Sequence, residues 1–253
     1  MLMTSPIFGR PRHEYHSYRD FWTLVELSGF DWVYIDEMDI QSDNVYIFTG
    51  PDVNNEFRGA TARIVYWLLE WYGDYWQRDG VKETWVSNAT FAERIGAKFV
   101  PMGGHPALGT TERGTDQFDL AHMSYDGIHR RGLLLNKIRD YAGVSIAPNG
   151  WFDERDFSLR NSRVMLHIHQ SEDYPAIAPL RAVLAAAYAL PLIAESGWST
   201  APYTEHVFSS DYAGLLRLVM TTLDMTNLTE RGLAFHDYVC NVLRFKTMVE
   251  AAL

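Results

Sequence analysis

Short β-rich runs alternate with longer stretches of helical spacing along this chain, and that alternation predicts parallel sheets joined by crossover helices. In the first half, residues 31–35 and 44–48 read as strands, the second ending in the turn Thr49-Gly50-Pro51-Asp52. Residues 63–71 stay apolar on both faces as far as Glu70, the pattern of a central parallel strand covered on each side. Strands follow at 83–87 and 98–101, and between them 89–95 reads as a short helix stopped by Gly96. The polar, glycine-containing run 106–114 has no periodicity and reads as a linker. It divides the sequence into an N-terminal lobe, 1–108, and a C-terminal lobe, 109–253. The second lobe repeats the alternation, with strands at 118–124, 144–147, 162–169 and 192–195 and helices at 130–141 and 179–189. From Ser210 onward the tail reads as mostly helical, with Leu215, Leu218, Val219, Thr222 and Leu223 on one face. The expected fold class is therefore α/β, with two Rossmann-like lobes on parallel sheets.

Composition narrows the class without changing this picture. Of 253 residues, 47% are hydrophobic and 21% charged, a balance that supports a sizeable core and excludes wholesale disorder. The formal charge of −10 opposes non-specific attraction to nucleic acid or anionic lipid. The first residues carry Arg10, Arg12 and His13 with no apolar stretch behind them, which predicts no secretory signal. The longest apolar run, 180–194, is interrupted by Arg181 and Pro191 and falls short of the ~20 residues of a membrane-spanning helix. A single cysteine, Cys240, fits a reducing compartment, so the expected location is the cytoplasm.

Ligands of open parallel sheets bind beyond the carboxyl ends of the strands, and polar residues at those ends are the candidates for chemistry. The first cluster runs from Ser124 and Tyr125 through a glycine turn to Arg130 and Arg131, where amides and guanidinium groups suit a diphosphate; solvated surface arginines are the plain alternative. In the second, period-two alternation puts His167 and His169 on one strand face, with Leu166 and Ile168 on the other. With no third ligand nearby in the sequence, this pair reads as hydrogen-bonding groups before a metal site. The third joins Arg181, at a helix N-terminus that already favours anions, to Glu195, at the end of a buried strand. A salt bridge to Glu172 or Asp173 is the plain alternative for Arg181, and a structural cap is as good a reading of Glu195 as an acceptor for ribose or sugar hydroxyls.

Taken in order, these clusters resemble the two-lobed GT-B glycosyltransferases, especially the bacterial branch with CgeB-like, "glycosyl transferases group 1" C-terminal domains. The resemblance spans most of the chain. It rests on Tyr66-Trp67-Leu68-Leu69-Glu70, on Val100-Pro101-Met102-Gly103-Gly104, on Phe118-Asp119-Leu120 with Ser124 and Arg130-Arg131, and on Arg155-Asp156, Leu166-His167-Ile168-His169, Arg181 and Leu192-Ile193-Ala194-Glu195-Ser196. The chain departs from the family pattern at His167 and Trp67, where asparagine is usual, and in lacking a second glutamate eight residues after Glu172.

The resemblance implies metal-independent transfer of a sugar from a nucleoside diphosphate sugar, a co-substrate and not a resident cofactor, to an acceptor hydroxyl. Glu70, Arg131 and Arg181 are the catalytic candidates, Glu70 as base and the arginines on the departing diphosphate. Ser124, Tyr125, Arg130, Asn149, His167, His169 and Glu195 are the donor-binding candidates. Asp52 and His105 are weaker choices for the base, and the aromatic run Trp71, Tyr72, Tyr75 and Trp76 suits an acceptor groove or a subunit contact. Saccharide, metabolite, protein and modified DNA base all remain open as acceptors, the last as in phage-type hydroxymethylpyrimidine glycosyltransferases. A non-catalytic nucleotide- or sugar-binding module of the same fold, or a nucleotide-sugar epimerase, are the competing readings.

Overall fold

A computed structural model describes residues 5–13, 18–50, 57–70, 79–124, 129–169 and 171–253. The chain forms two compact units, one of Met1–Met102 with Phe245–Leu253 and one of Gly103–Arg244.

The first unit is built on six parallel strands, β1 (Ile7–Arg10), β2 (Asp31–Tyr34), β3 (Val45–Phe48), β4 (Arg63–Leu68), β5 (Glu83–Val86) and β6 (Lys98–Phe99), in the order β2-β1-β3-β4-β5-β6. β1 and helix α1 (Arg19–Leu27) lie in a stretch that the hydrophobic pattern leaves unassigned. β1 has four residues and contains a glycine, so it shows no period of its own. That glycine is required by packing: a Cβ on Gly9 would sit 2.9 Å from Met38 Sδ and 3.1 Å from Ile35 Cγ1. β4 is buried along all but its first residue, as its two-sided apolar pattern predicts. Helix α2 (Ala89–Ile95) starts where Asn88 Oδ1 accepts from the Phe91 amide and stops at Gly96 in the left-handed conformation, φ 66°.

The second unit carries four parallel strands, β7 (Phe118–Ala121), β8 (Ser162–His167), β9 (Leu192–Glu195) and β10 (Val207–Ser210), in the order β10-β9-β8-β7. Helices α3 (His129–Ala142), α4 (Asp153–Arg160), α5 (Pro179–Ala187), α6 (Leu215–Leu223) and α7 (Leu228–His236) accompany them. The strand predicted at 144–147 contributes a single parallel bridge, Ile146 to Leu120, on the far side of β7 from β8. β10 lies in a stretch that the hydrophobic pattern leaves unassigned and ends at Ser210, where the sequence places the start of the helical tail; its half-exposed edge position explains its weak apolar signal. Leu120, Val164, Leu166, Ile168 and Ile193 from the sheet pack with Leu134, Leu135 and Ile138 of α3 and with Leu215 and Val219 of α6. The small residues of α5 are buried, and close approach is required nearby: a Cβ on Gly232 in α7 would lie 1.8 Å from the Ala189 carbonyl oxygen.

The last helix, α8 (Phe245–Ala252), belongs to the first unit and not to the second, where the sequence places the tail. Phe245 is fully buried against the rings of Phe8, Phe21, Phe30 and Trp67, with centroids 5.6–6.2 Å away. Arg63 donates to the Leu253 carbonyl at 3.1 Å and Lys98 to that of Ala252, so the helix end is also tied to β4 and β6. The boundary between units falls at Met102 and Gly103, ahead of the polar run read as a linker. Among the described residues no helix is long and apolar enough to cross a membrane.

Removing the Phe245 ring opens a cavity at the meeting point of four aromatic side chains. Phe245→Ala should lower the unfolding free energy by about 3–5 kcal/mol, with Phe245→Leu costing less. Urea denaturation followed by tryptophan fluorescence measures both, and a Phe245→Ala protein of wild-type stability would contradict this packing.

Candidate functional site

The topology of the second unit marks one end of its sheet. From β7 the chain passes through α3 to Ile146 on one flank, then through α4 to β8 on the other. The connections thus part company between β7 and β8, the switch point at which open parallel sheets form a crevice beyond their carboxyl ends. His122 and Ser124 follow β7 there, Ile168 and His169 follow β8, and Glu195 is the last residue of β9. Arg130 and Arg131 lie in the first turn of α3, and Arg181 in the first turn of α5.

Glu195 is buried at 4% exposure, and both its oxygens accept from the Arg130 guanidinium; Nη1 to Oε2 is 2.5 Å. The His169 amide donates to Oε2 at 3.0 Å. Arg130 also lies 4.0 Å over the Tyr212 ring, whose hydroxyl donates to the Arg130 carbonyl at 2.7 Å. The carboxylate raises the Arg130 pKa, which keeps the guanidinium charged. Sequence reasoning places Arg130 on a diphosphate; the structure commits it to a bidentate pair that fixes Glu195 between β8 and β9. The exposed Glu172 carboxylate, expected near Arg181, approaches Arg130 at 4.0 Å instead.

Three buried histidines line the same end of the sheet. His167 donates from Nε2 to the Ala176 carbonyl at 3.2 Å, which leaves Nδ1 to accept from Arg181 Nη1 at 3.1 Å. Burial, and then the Arg181 charge, push its pKa well below the ordinary histidine value. His122 donates from Nδ1 to the Leu166 carbonyl at 3.0 Å and accepts the Ser124 hydroxyl at Nε2, 2.6 Å away. Burial again, reinforced by Arg181, holds its pKa at about 3. Burial lowers His169 to about 4 against the opposing pull of Glu195, whose Oε2 lies 3.7 Å from Nδ1. Among the described residues the buried His169 Nε2 has no hydrogen-bond partner. All three rings are neutral near pH 7.

Arg131 is only 3% exposed and donates from Nε to the Ile168 carbonyl at 3.0 Å. Arg131 thus holds the carbonyl between His167 and His169 while Arg181 holds His167 itself, so the two guanidinium groups meet the same strand end, and both charges depress His122, His167 and His169. Asn149, on the loop after Ile146, donates from Nδ2 to the Ser124 carbonyl at 2.5 Å and so ties that loop to the residue after β7. Cations held in a largely dry pocket act on a bound anion far more strongly than they would in water. Phosphate oxygens suit the arginines, and donor groups such as hydroxyls suit Glu195.

The structure therefore gathers Ser124, Arg130, Arg131, Asn149, His167, His169, Arg181 and Glu195 at one end of one sheet. Tyr125, Asp52, Trp71, Tyr72, Tyr75 and Trp76 lie outside the described residues. Glu70 stands in the first unit, half-buried two residues past β4. His105 falls in the second unit and not in the N-terminal lobe; its Nδ1 accepts from the Ala107 amide at 3.1 Å. Sequence reasoning misses His122 and Tyr212. The pattern His122-x-Ser124 at a strand end carries the same period-two signal as His167-x-His169 and would have revealed the first. Among the described residues no three His, Cys, Asp or Glu side chains are grouped to hold a metal ion.

No protein-family model matches the chain, and no curated protein is significantly similar to it in sequence. Solved structures are similar in fold. AviGT4, a glycosyltransferase involved in avilamycin A biosynthesis, superposes with a TM-score of 0.66 at 11% identity, over 98% of this chain and 96% of that one. The T4 phage protein BGT, solved with its UDP-glucose substrate, gives 0.55 at 12% identity, over 98% of this chain and 97% of that one. The chain has the GT-B fold. The N-terminal domain of Candida albicans trehalose-6-phosphate phosphatase shares it at a TM-score of 0.53 and 10% identity, over 96% of this chain and 76% of that one. The chain spans about half, 54%, of the glycosylation-associated Gap123 chain from Streptococcus agalactiae, with 84% of itself covered at 11% identity and a TM-score of 0.47. The GT-B likeness is one of fold and does not single out the CgeB-like branch.

The neutral histidines make stability depend on pH with a definite sign. Their folded pKa values lie below that of an unfolded histidine, about 6.5, so below that pH the unfolded chain binds protons that the folded unit refuses. Stability should be level above pH 7 and fall between pH 6.5 and 5, by up to about 1.4 kcal/mol per pH unit for each histidine. Urea unfolding at pH 7.5, 6 and 5 tests this; His169→Gln should flatten the slope, and pH-independent stability would contradict it.

Proposed function

We propose that this chain is a glycosyltransferase that binds a nucleoside diphosphate sugar at the carboxyl ends of β7, β8 and β9 and transfers the sugar to an acceptor hydroxyl. The observation that carries the reading is the convergence of Arg131 and Arg181 on three neutral histidines beside the Glu195 carboxylate. The GT-B fold supports it, since AviGT4 is a glycosyltransferase and the T4 phage protein takes UDP-glucose.

Breaking the glycosidic bond leaves negative charge on the departing diphosphate, and fixed cations aimed at it lower the barrier without reorganising. Arg131 and Arg181 take that role and need no metal to share it. His167 holds Arg181 through its Nδ1 and stays neutral, so it orients the guanidinium without adding a competing charge. Glu195 accepts from ribose or sugar hydroxyls, with Arg130 and the His169 amide fixing its position. Asn149 completes the donor site, and Glu70 is the candidate general base for the acceptor hydroxyl.

A thermal-shift screen of UDP-glucose, UDP, GDP-mannose and ADP-glucose should find one nucleotide family that raises Tm, because such a ligand binds only the folded protein. Release of free nucleoside diphosphate in the presence of acceptor then separates an enzyme from a binding module. Arg181→Ala should lower turnover at least about 10²-fold with a Tm near wild type; unchanged kinetics would remove Arg181 from the mechanism. Glu70→Gln should lower turnover while leaving donor binding intact, and full activity in that variant would exclude Glu70 as the base.

A further inference from the structure

The hydrogen bonds around Ser124 decide which half of a hydrogen bond its hydroxyl can offer. A carbonyl oxygen only accepts, so the contact from His122 Nδ1 to the Leu166 carbonyl places the ring proton on Nδ1. His122 is 2% exposed and, with its pKa held at about 3, carries no second proton. Its Nε2 therefore carries no proton and can only accept. Ser124 Oγ, 2.6 Å from that nitrogen, must give it the one proton it owns. Asn149 fixes the backbone of the same residue by donating to its carbonyl. The serine oxygen is left with lone pairs only.

We propose that His122 is a positioning residue that makes Ser124 an obligate acceptor, so that the ligand group meeting Ser124 Oγ is a hydroxyl of the nucleotide sugar and not a phosphate oxygen. This rests on the donor-site reading and divides the work within it. Arg131 and Arg181 can only donate and take the anionic part of the ligand, whereas Ser124, like Glu195, takes a hydroxyl. A phosphate oxygen placed on Ser124 would set lone pair against lone pair. The chain accordingly discriminates for a hydroxyl at one position of the donor, through a histidine that itself does not touch the ligand.

Two measurements test this. Long-range ¹H–¹⁵N spectra of the ligand-free protein report the tautomer of His122, assigned by comparison with His122→Asn. The Nδ1–H form is expected at pH 7; an Nε2–H ring or an imidazolium overturns the proposal. Titration calorimetry then compares the nucleotide sugar that raises Tm, among UDP-glucose, GDP-mannose and ADP-glucose, with analogues in which each of its ribose and sugar hydroxyls is replaced in turn by fluorine, which can accept but cannot donate. One replacement should weaken binding to the wild type about tenfold, the scale of one buried acceptor left unmet. The same replacement should cost less than about twofold in Ser124→Ala, where no acceptor remains to be left unmet. It should also lose most of its effect in His122→Ala, whose serine regains a proton to donate. Tolerance of every fluorine by the wild type, or an equal loss in Ser124→Ala, overturns the proposal. If the wild-type protein binds none of the nucleotides of the thermal-shift screen while the spectrum shows the Nδ1–H ring, the donor-site reading falls and takes the hydroxyl assignment with it, but the histidine lock stands.

Discussion

The site depends on keeping imidazoles uncharged beneath guanidinium groups. His122, His167 and His169 sit at 2% exposure each, and burial is the first cause of every one of their pKa shifts. Were any of these rings an imidazolium, it would repel Arg131 and Arg181. As neutral groups they act as oriented dipoles, each spending a proton on a fixed acceptor or facing one: Leu166 and Ala176 carbonyls for two, the Glu195 carboxylate for the third. Desolvation, which is a cost for a charged side chain, here preserves the electrostatic character of the pocket.

Glu195 is the matching case of opposite sign. A carboxylate at 4% exposure needs compensation, and Arg130 supplies it with two hydrogen bonds while the His169 amide supplies a third. The stacking of Arg130 on Tyr212 extends that anchoring to the segment after β10. One of the two twin arginines of α3 is thereby structural in its contacts, and its neighbour Arg131 turns to the Ile168 carbonyl instead. Adjacent helical residues point about 100° apart, so identical side chains next to each other in sequence meet different partners.

Much of the fold was legible because its signals are local. The two-sided apolar run of β4, the alternation in β8 and the capped helix between Asn88 and Gly96 all depend on residues within a few positions of one another. β1 and β10 escaped because one is four residues long with a glycine inside and the other is a half-exposed edge; neither shows enough period to read. The run 144–147 looked like a strand from its apolar residues and makes one bridge, since pairing depends on the neighbour and not on propensity alone.

By itself the sequence determined the α/β class, the parallel alternation and the polar strand ends where ligand chemistry collects, because periodicity and turn residues act over short distances. Only the tertiary structure decided that Phe245 and its helix return to the first sheet, that Arg130 belongs to Glu195, and that His122 accepts from the Ser124 hydroxyl. Those choices join residues 65 and more positions apart in the first two cases, and in the third they turn on a carbonyl 44 residues away that fixes a tautomer. A chain written in one dimension does not show which acceptor a donor will meet once both are removed from water.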